Sequence, residues 1–135
     1  MRKQTRRTFI TNAVALSASA AASALPTMEP KNKKQLVHHV YFWLKNRDSK
    51  EDLKQLLAGL KTLEKIESVR KIHIGVPAST EQRDVVDSSY SASELIFFDD
   101  VAGQDIYQVH PIHKKFVDQC AHLWEKVIVY DSVDI

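Results

Sequence analysis

One short segment holds most of the side chains suited to acid–base chemistry. Tyr107, His110 and His113 follow one another at intervals of three residues, with Pro111 between the two histidines. On a helix, residues three apart lie on adjacent faces, so two or three of these side chains can point towards one neighbouring element. A neutral imidazole accepts a proton near pH 7, and a tyrosine hydroxyl can stabilise negative charge on a carbonyl oxygen. The segment therefore suits proton abstraction next to a carbonyl group, as in aldol closure, isomerisation or decarboxylation.

Each of these residues also has a structural interpretation. His110 precedes a proline and can end one helical segment and cap the next. His113 can be a buried, fully hydrogen-bonded histidine, and Tyr107 a core residue whose hydroxyl bonds to the backbone. The His110-x-x-His113 spacing also permits a metal site, with His38 as a third imidazole. We nevertheless predict no metal and no other cofactor, because no acidic residue lies beside the pair and a proline separates the histidines.

The elements that must position these residues follow the order βαββαβ. Strands are predicted over residues 36–44, 69–76, 92–98 and 126–133, and helices over residues 50–65 and 101–124, the second bent or divided at its internal proline. Leucine and isoleucine recur at spacings of three and four in the first helix, which forms one apolar stripe. This order predicts an α+β, ferredoxin-like domain with a four-stranded antiparallel sheet and its helices on one face.

The first strand presents different side chains on its two faces. His38 and Phe42 are expected on the helix-facing side, where they and His110 would contact a ligand held between the sheet and the second helix. Tyr41 and Trp43 are expected on the opposite face, together with other rings, His39 and His73. Aromatic side chains on an uncovered sheet face usually mark an interface. A second copy of the same sheet is the simplest cover, so a closed homodimer is predicted.

Four segments together resemble a known family. They are residues 37–45 (VHHVYFWLK), 83–90 (RDVVDSSY), 107–113 (YQVHPIH) and 124–132 (WEKVIVYDS). The chain resembles the stress-responsive dimeric α/β-barrel (Dabb) family over nearly all of residues 36–133, and the third segment, followed by Phe116, is the most specific part. The resemblance implies a homodimeric barrel built by residues 36–135.

The family includes plant stress proteins without established catalysis and a polyketide cyclase that closes a linear polyketide by aldol condensation. The resemblance implies that Tyr107 and His113 correspond to the catalytic pair of that cyclase and His38 to a histidine lining its pocket. Three functions therefore stay open. They are binding of a small apolar or aromatic molecule, a cofactor-independent lyase or cyclase reaction, and a stress-protective dimer without a ligand.

The N-terminal residues differ in composition from the rest of the chain. The first 24 residues contain four basic and no acidic side chains, whereas the remaining 111 carry 15 basic and 17 acidic ones, a net charge of −2. Residues 1–24 combine the paired Arg6 and Arg7, an Ala/Ser-rich apolar stretch and an Ala-Ser-Ala cleavage site, which predicts a signal peptide resembling the twin-arginine type. Residues 25–35 are predicted to be a flexible linker.

Charge and hydropathy also bear on location and partners. The predicted signal peptide implies export, to the periplasm in a cell with an outer membrane and outside the cell otherwise. The remaining residues are mildly acidic, which argues against nucleic acid as the main partner. No apolar run reaches the roughly 20 residues of a membrane-spanning helix, so none is predicted. The single cysteine, Cys120, excludes an internal disulfide and falls on the inner stripe of the second helix.

Overall fold

The structure of the protein is a computed structural model that describes residues 33–135. The elements are β1 (Leu36–Leu44), α1 (Lys50–Thr62), β2 (Lys71–Gly75), β3 (Ala92–Phe98), α2 (Val101–Val109), α3 (Pro111–Cys120) and β4 (Trp124–Val133). Two short 3-10 turns, Leu63–Lys65 and Ala121–Leu123, continue α1 and α3. The predicted signal peptide over residues 1–24 and the predicted linker as far as residue 32 lie outside the described residues.

All four strands join in one antiparallel sheet with the order β2-β3-β1-β4. β1 lies inside the sheet because its nine residues can pair on both edges, with β3 on one side and β4 on the other. Its burial alternates strictly, with Leu36, His38, Val40, Phe42 and Leu44 on the core side. The predicted ferredoxin-like fold with a four-stranded antiparallel sheet is confirmed.

The strand boundaries differ from the sequence pattern at the two edges of the sheet. β2 starts at Lys71 rather than at residue 69, because it pairs with β3 alone and the ladder extends only over the length of that contact. β4 starts at Trp124, two residues earlier than predicted, and a register shift between Trp43 and Leu44 lets Trp124 pair with Leu44. Such a shift is typical of a β-bulge, which hydropathy does not reveal.

The helices pack on the core face of the sheet, and local signals set their ends. The Ser49 side chain accepts the amide of Asp52 and so caps α1. The predicted second helix is divided into α2 and α3 by Pro111, which occupies the first turn of α3. α1 and α3 approach closely at Gly59, where an added Cβ would lie 2.6 Å from the Cys120 sulfur. No helix in the described part of the chain is long and apolar enough to cross a membrane.

Candidate functional site

A cavity of about 260 Å³ lies between the sheet and α3. Its walls combine aliphatic and aromatic side chains with a few polar ones. The lining residues are His38, Val40, Phe42, Glu94, Gln108, His113, Phe116, Val117, Trp124, Val127 and Val129. Val117, Val127 and Val129 are also exposed to solvent, so the cavity opens through an apolar mouth between α3 and β4. This is the predicted location for a ligand, between the sheet and the second helical segment.

His113 lies in the first turn of α3, and its ring contacts the C-terminal end of α2. Its Nδ1 is 3.2 Å from the carbonyl oxygen of Gln108, one of the last carbonyls of α2. These carbonyls lack helical partners, so a side-chain donor is favourable there. Because a carbonyl only accepts hydrogen bonds, Nδ1 carries the hydrogen in the neutral ring and Nε2 keeps a lone pair. Burial lowers the pKa of His113; the hydrogen bond to Gln108 opposes this shift, the nearby His38 adds to it, and the net change is a lowered pKa. The neutral, proton-accepting form is therefore favoured near pH 7.

His38 is held by a carboxylate from the neighbouring strand. Its side chain projects from the core face of β1, is 5% exposed, and places Nδ1 2.5 Å from Oδ1 of Asp131. Asp131 lies directly opposite His38 in the β1–β4 register, so the pairing of the strands positions this contact. The carboxylate fixes the orientation of the ring, which packs edge-on against Tyr107 with 5.8 Å between ring centroids. Asp131 was not among the predicted site residues, because only the register between the first and last strands reveals it.

Glu94 is a further polar residue of the cavity that the sequence analysis did not identify. It projects from β3 onto the core face, is 3% exposed, and lines the cavity. In the sheet it lies opposite Val40, so it is a diagonal neighbour of His38. Burial raises the pKa of Glu94 from 4.5 to about 8, while the Tyr107 hydroxyl acts in the opposite direction. The sequence did contain a signal, since Glu94 alternates with Ala92, Ile96 and Phe98 on the buried face of the strand.

Tyr107 is brought together with His113, as the sequence analysis expected, but it lies behind the cavity wall. Its ring is 4.6 Å from that of His113 between centroids and is fully buried. Tyr107 is not among the residues that line the cavity. Its hydroxyl faces Glu94, and burial together with that carboxyl group raises the pKa of Tyr107. Tyr107 can therefore act on Glu94 directly, but it can affect a ligand in the cavity only through Glu94 or His113.

Of the other two predicted ligand contacts, Phe42 lies in the cavity and His110 does not. Phe42 lines the cavity and packs against Phe116 and Trp124. His110 is not brought to the cavity: its Nδ1 accepts the amide of Ile112 and so caps α3, and its Nε2 lies 3.2 Å from Glu67. His110 therefore has the capping role that was its structural alternative. Within residues 33–135, no group of three or more His, Cys, Asp or Glu side chains could hold a metal ion.

The opposite face of the sheet carries a second concave surface, of about 330 Å³. It is lined mainly by rings, and the ring of Tyr41 lies 5.0 Å from that of Tyr90 and 6.2 Å from that of Tyr130 between centroids. Lys126 lies over Trp43, with Nζ 4.4 Å from the ring centroid. We call this aromatic surface the open face. Tyr130, at 60% exposure, is its most exposed ring, so the open face is apolar and uncovered in a single copy.

A four-stranded antiparallel sheet with helices on one face and the other face open is characteristic of ferredoxin-like α+β domains. The family model described as "Stress responsive A/B Barrel Domain" matches residues 36–134, and the chain belongs to this family. None of the curated protein sequences compared with the chain matches it.

Solved structures share the same fold. A Dabb family protein with a ferredoxin-like fold from Mesorhizobium loti is 26% identical, with a TM-score of 0.62 over 76% of this chain and 98% of that one. A dimeric ferredoxin-like protein from Thermobifida fusca is 16% identical, with a TM-score of 0.61 over 75% of this chain and 92% of that one. The hydroxynitrile lyase of Passiflora edulis is 18% identical, with a TM-score of 0.65 over 76% of this chain and 95% of that one.

Proposed function

We propose that the protein is an exported homodimer that binds a small, mainly apolar or aromatic molecule in the cavity between the sheet and α3. The observation that supports this most directly is the composition of the cavity wall. Aliphatic and aromatic side chains surround three convergent polar groups, those of His38, Glu94 and His113. Ligand sites typically combine an apolar lining with a few placed polar groups that fix the orientation of the ligand. The volume of about 260 Å³ lies just below the usual range of roughly 300–1,000 Å³, which limits the ligand to a small molecule.

Identification of the ligand tests this proposal directly. The full chain, purified without a histidine tag, is examined by native mass spectrometry and its organic extract is analysed by small-molecule mass spectrometry. We expect a bound small molecule that is lost when the cavity is filled by Val40→Trp, and retained in Lys54→Glu, a control on the exposed side of α1. Equal recovery from both variants, or no binding of any apolar compound in a screened library, would contradict the proposal and favour the dimer without a ligand.

The open face supports the homodimer. A contiguous aromatic surface of this kind is costly to leave in water, and a second copy of the same sheet covers it with a self-complementary surface. Structural neighbours from Thermobifida fusca, Bacteroides fragilis and a Jannaschia species are described as dimeric. Light scattering on the wild type should give twice the chain mass. Tyr130→Glu, which places a charge on the exposed edge of the open face, should give the single mass, whereas Lys54→Glu should stay dimeric. A wild-type monomer at micromolar concentration would exclude the homodimer.

Export is supported by the composition of residues 1–24, with four basic and no acidic side chains ahead of an Ala/Ser-rich stretch. We expect a mature chain that begins after Ala24. Mass spectrometry of the protein from its native cell measures this, and lysine substitution of Arg6 and Arg7 distinguishes the routes. A twin-arginine substrate should accumulate in the cytoplasm after that substitution, whereas a general secretory substrate should not. A mature N-terminus at Met1 would contradict the prediction.

A second candidate function is a cofactor-independent lyase or cyclase, with His113 as the base. The hydrogen bond to Gln108 favours it, because that bond leaves Nε2 of His113 able to accept a proton from a bound carbonyl compound. The structurally similar Passiflora edulis protein is a hydroxynitrile lyase, which shows that this fold supports lyase chemistry in that protein. A general base contributes about 10²–10⁴-fold to rate.

The test of the second candidate is a substrate screen followed by two histidine substitutions. Hydroxynitriles and linear polyketide analogues are the first compounds to assay. For any compound turned over, His113→Ala should lower kcat by about 10²–10⁴-fold. His122→Ala is the matched control, because His122 is exposed and absent from the cavity lining. Turnover that survives His113→Ala unchanged would exclude His113 as the base.

A further inference from the structure

Two polar atoms at and behind the wall of the cavity are buried without well-aligned hydrogen bonds. They are Oε2 of Glu94 and the hydroxyl oxygen of Tyr107: the hydroxyl is near enough to lower the pKa of Glu94, but neither atom forms a well-aligned hydrogen bond within residues 33–135. The two side chains face each other, one from β3 and one from α2. A buried polar group without a partner is destabilising, and such groups are uncommon in folded proteins. Of the two residues, Glu94 also lines the ligand cavity, so a ligand atom can complete the hydrogen bonding of its carboxyl group.

The surroundings of Glu94 determine which ligand atom is suitable. No Lys, Arg or His side chain within the described residues forms an ion pair with Glu94. An ionised carboxylate buried without a cation is strongly unfavourable, so the group remains protonated instead. A protonated carboxyl group has an O–H donor, and the atom that matches a donor in an apolar cavity is an oxygen acceptor on the ligand.

We propose that Glu94 donates a hydrogen bond to a carbonyl oxygen of the ligand, with Tyr107 as a positioning residue that orients the carboxyl group from behind. This inference rests on the proposed function, since it assigns the chemical class of the ligand in that same cavity: a small apolar or aromatic carbonyl compound. The open mouth at Val127 and Val129 accepts the apolar part of the molecule, and the carbonyl end lies deeper, against Glu94.

For the cyclase candidate, the same arrangement gives each group a defined step. The C–H bond next to the carbonyl breaks, its proton passes to Nε2 of His113, and its electron pair moves onto the carbonyl oxygen. The O–H group of Glu94 stabilises the resulting oxyanion by a hydrogen bond without losing its proton. The α-carbon then attacks a second carbonyl carbon of the same ligand, the π bond of that carbonyl breaks, and the resulting alkoxide takes the proton from Nε2 of His113, which regenerates the base. No oxidant, reductant or cofactor is needed for this sequence.

The experiment compares three probes that share one phenyl frame and differ only in the polar group. Acetophenone carries a carbonyl oxygen, 1-phenylethylamine carries an ammonium group, and ethylbenzene carries neither. Dissociation constants are measured by NMR titration of the full chain. We expect acetophenone to bind the wild type about two- to tenfold more tightly than ethylbenzene, the ratio that one net hydrogen bond supplies, and 1-phenylethylamine to bind most weakly.

The same ratio is then measured in two variants. Glu94→Leu should bring the acetophenone-to-ethylbenzene ratio to about one, while Glu94→Gln should keep a preference for acetophenone, because its amide N–H still donates. The ratio compares two ligands in the same variant, so a change in folding stability alone does not move it. Tyr107→Phe leaves Glu94 in place and should reduce the ratio only partly.

Four outcomes would overturn the proposal. They are a ratio near one in the wild type, a ratio unchanged in Glu94→Leu, tightest binding by the amine, which would make Glu94 a cation-binding carboxylate, and no binding of acetophenone at all. The proposed function is decided separately. Val40→Trp and His113→Ala use the native ligand and a turnover assay rather than these probes, so the cavity or the base can stand when the carbonyl assignment fails.

Discussion

Replacement of Glu94 by glutamine should change the pH dependence of folding stability in a defined direction. The side chain is 3% exposed, and burial raises the pKa of Glu94 to about 8 from the ordinary 4.5. Between these two values the folded protein holds a proton that the unfolded chain releases. Folding stability must therefore fall as the pH rises from 4.5 to 8, which is the opposite of the usual behaviour of a paired carboxylate. Glutamine keeps the size of the side chain and removes the titration.

The size of this effect follows from the two pKa values. One pKa unit corresponds to about 1.36 kcal/mol, and the linkage relation gives a loss of about 2.5 kcal/mol for the wild type between pH 5 and pH 7. For a domain of this size, that corresponds to a decrease of about 10–20 °C in Tm. His113 titrates in the opposite sense, because its lowered pKa makes the protein less stable as the pH falls below about 6.5. Wild type and Glu94→Gln share His113, so its contribution cancels in their difference.

Urea unfolding followed by tryptophan fluorescence measures the free energy of unfolding of both proteins at pH 5, 6, 7 and 8. The protein concentration is held fixed, because a dimer's apparent stability depends on it. The stability of Glu94→Gln relative to the wild type should rise by about 2.5 kcal/mol from pH 5 to pH 7 and level off above pH 8. Parallel curves for the two proteins would refute the reasoning, because they would show that Glu94 ionises in the folded state as freely as in the unfolded chain.

Three further substitutions test local features of the fold and site. His110→Ala should lower the free energy of unfolding by about 0.5–2 kcal/mol in urea titrations, because the cap on the Ile112 amide is lost, and His110→Asn, which can cap, should retain most of it. Gly59→Ala should cost about 1–3 kcal/mol by the same measurement, because its Cβ would lie 2.6 Å from the Cys120 sulfur; unchanged stability would show that α1 and α3 can separate freely. Tyr107→Phe should leave the Tm nearly unchanged in calorimetry, because its hydroxyl contacts Glu94 but forms no well-aligned hydrogen bond within residues 33–135, and a large decrease would reveal a stronger bond.

The two strands inside the sheet were predictable because the order of their apolar and polar residues matches which side chains are buried. The bounds of β1 and β3 agree with the prediction at both ends, since β1 is apolar on both faces and β3 alternates. The two edge strands were less predictable. The ends of β2 depend on how far it can pair with β3, its one neighbouring strand. The start of β4 depends on the register shift between Trp43 and Leu44. Neither quantity is a property of the strand's own residues.

The helical part of the site was predictable for the same local reason. Tyr107 and His113 are six residues apart, on two consecutive helices divided at Pro111, so their proximity follows from local geometry alone. His38 was placed on the correct face by the alternation of β1. Its partner Asp131 is 93 residues away, and the contact exists only because β1 and β4 are adjacent and in register. A contact of this kind requires the topology of the sheet before any residue can be assigned.

Glu94 shows why an acidic residue can be overlooked in a strand with a clear pattern. Its strand reads as a strand because Ala92, Ile96 and Phe98 mark one buried face, and that reading is correct even though Glu94 lies on the same face. The same alternation predicts the strand and reveals the unusual residue. One polar residue on the buried face does not change the prediction of a strand, but that residue is the one that lines the cavity. A charged residue in phase with a buried face is therefore worth considering as a site candidate alongside the helical motif.

His113 and Glu94 lie on different elements, so ligand recognition and proton transfer in the cavity can be tested separately. His113, the proposed base, is held by the end of α2, whereas the buried carboxyl group of Glu94 projects from β3, and no hydrogen bond connects the two within residues 33–135. Substitutions at Glu94 should therefore change which ligands are recognised, and substitutions at His113 should change proton transfer, with nearly additive free energies in a double mutant. Strong coupling between them would mean that a ligand or a water molecule bridges the two groups.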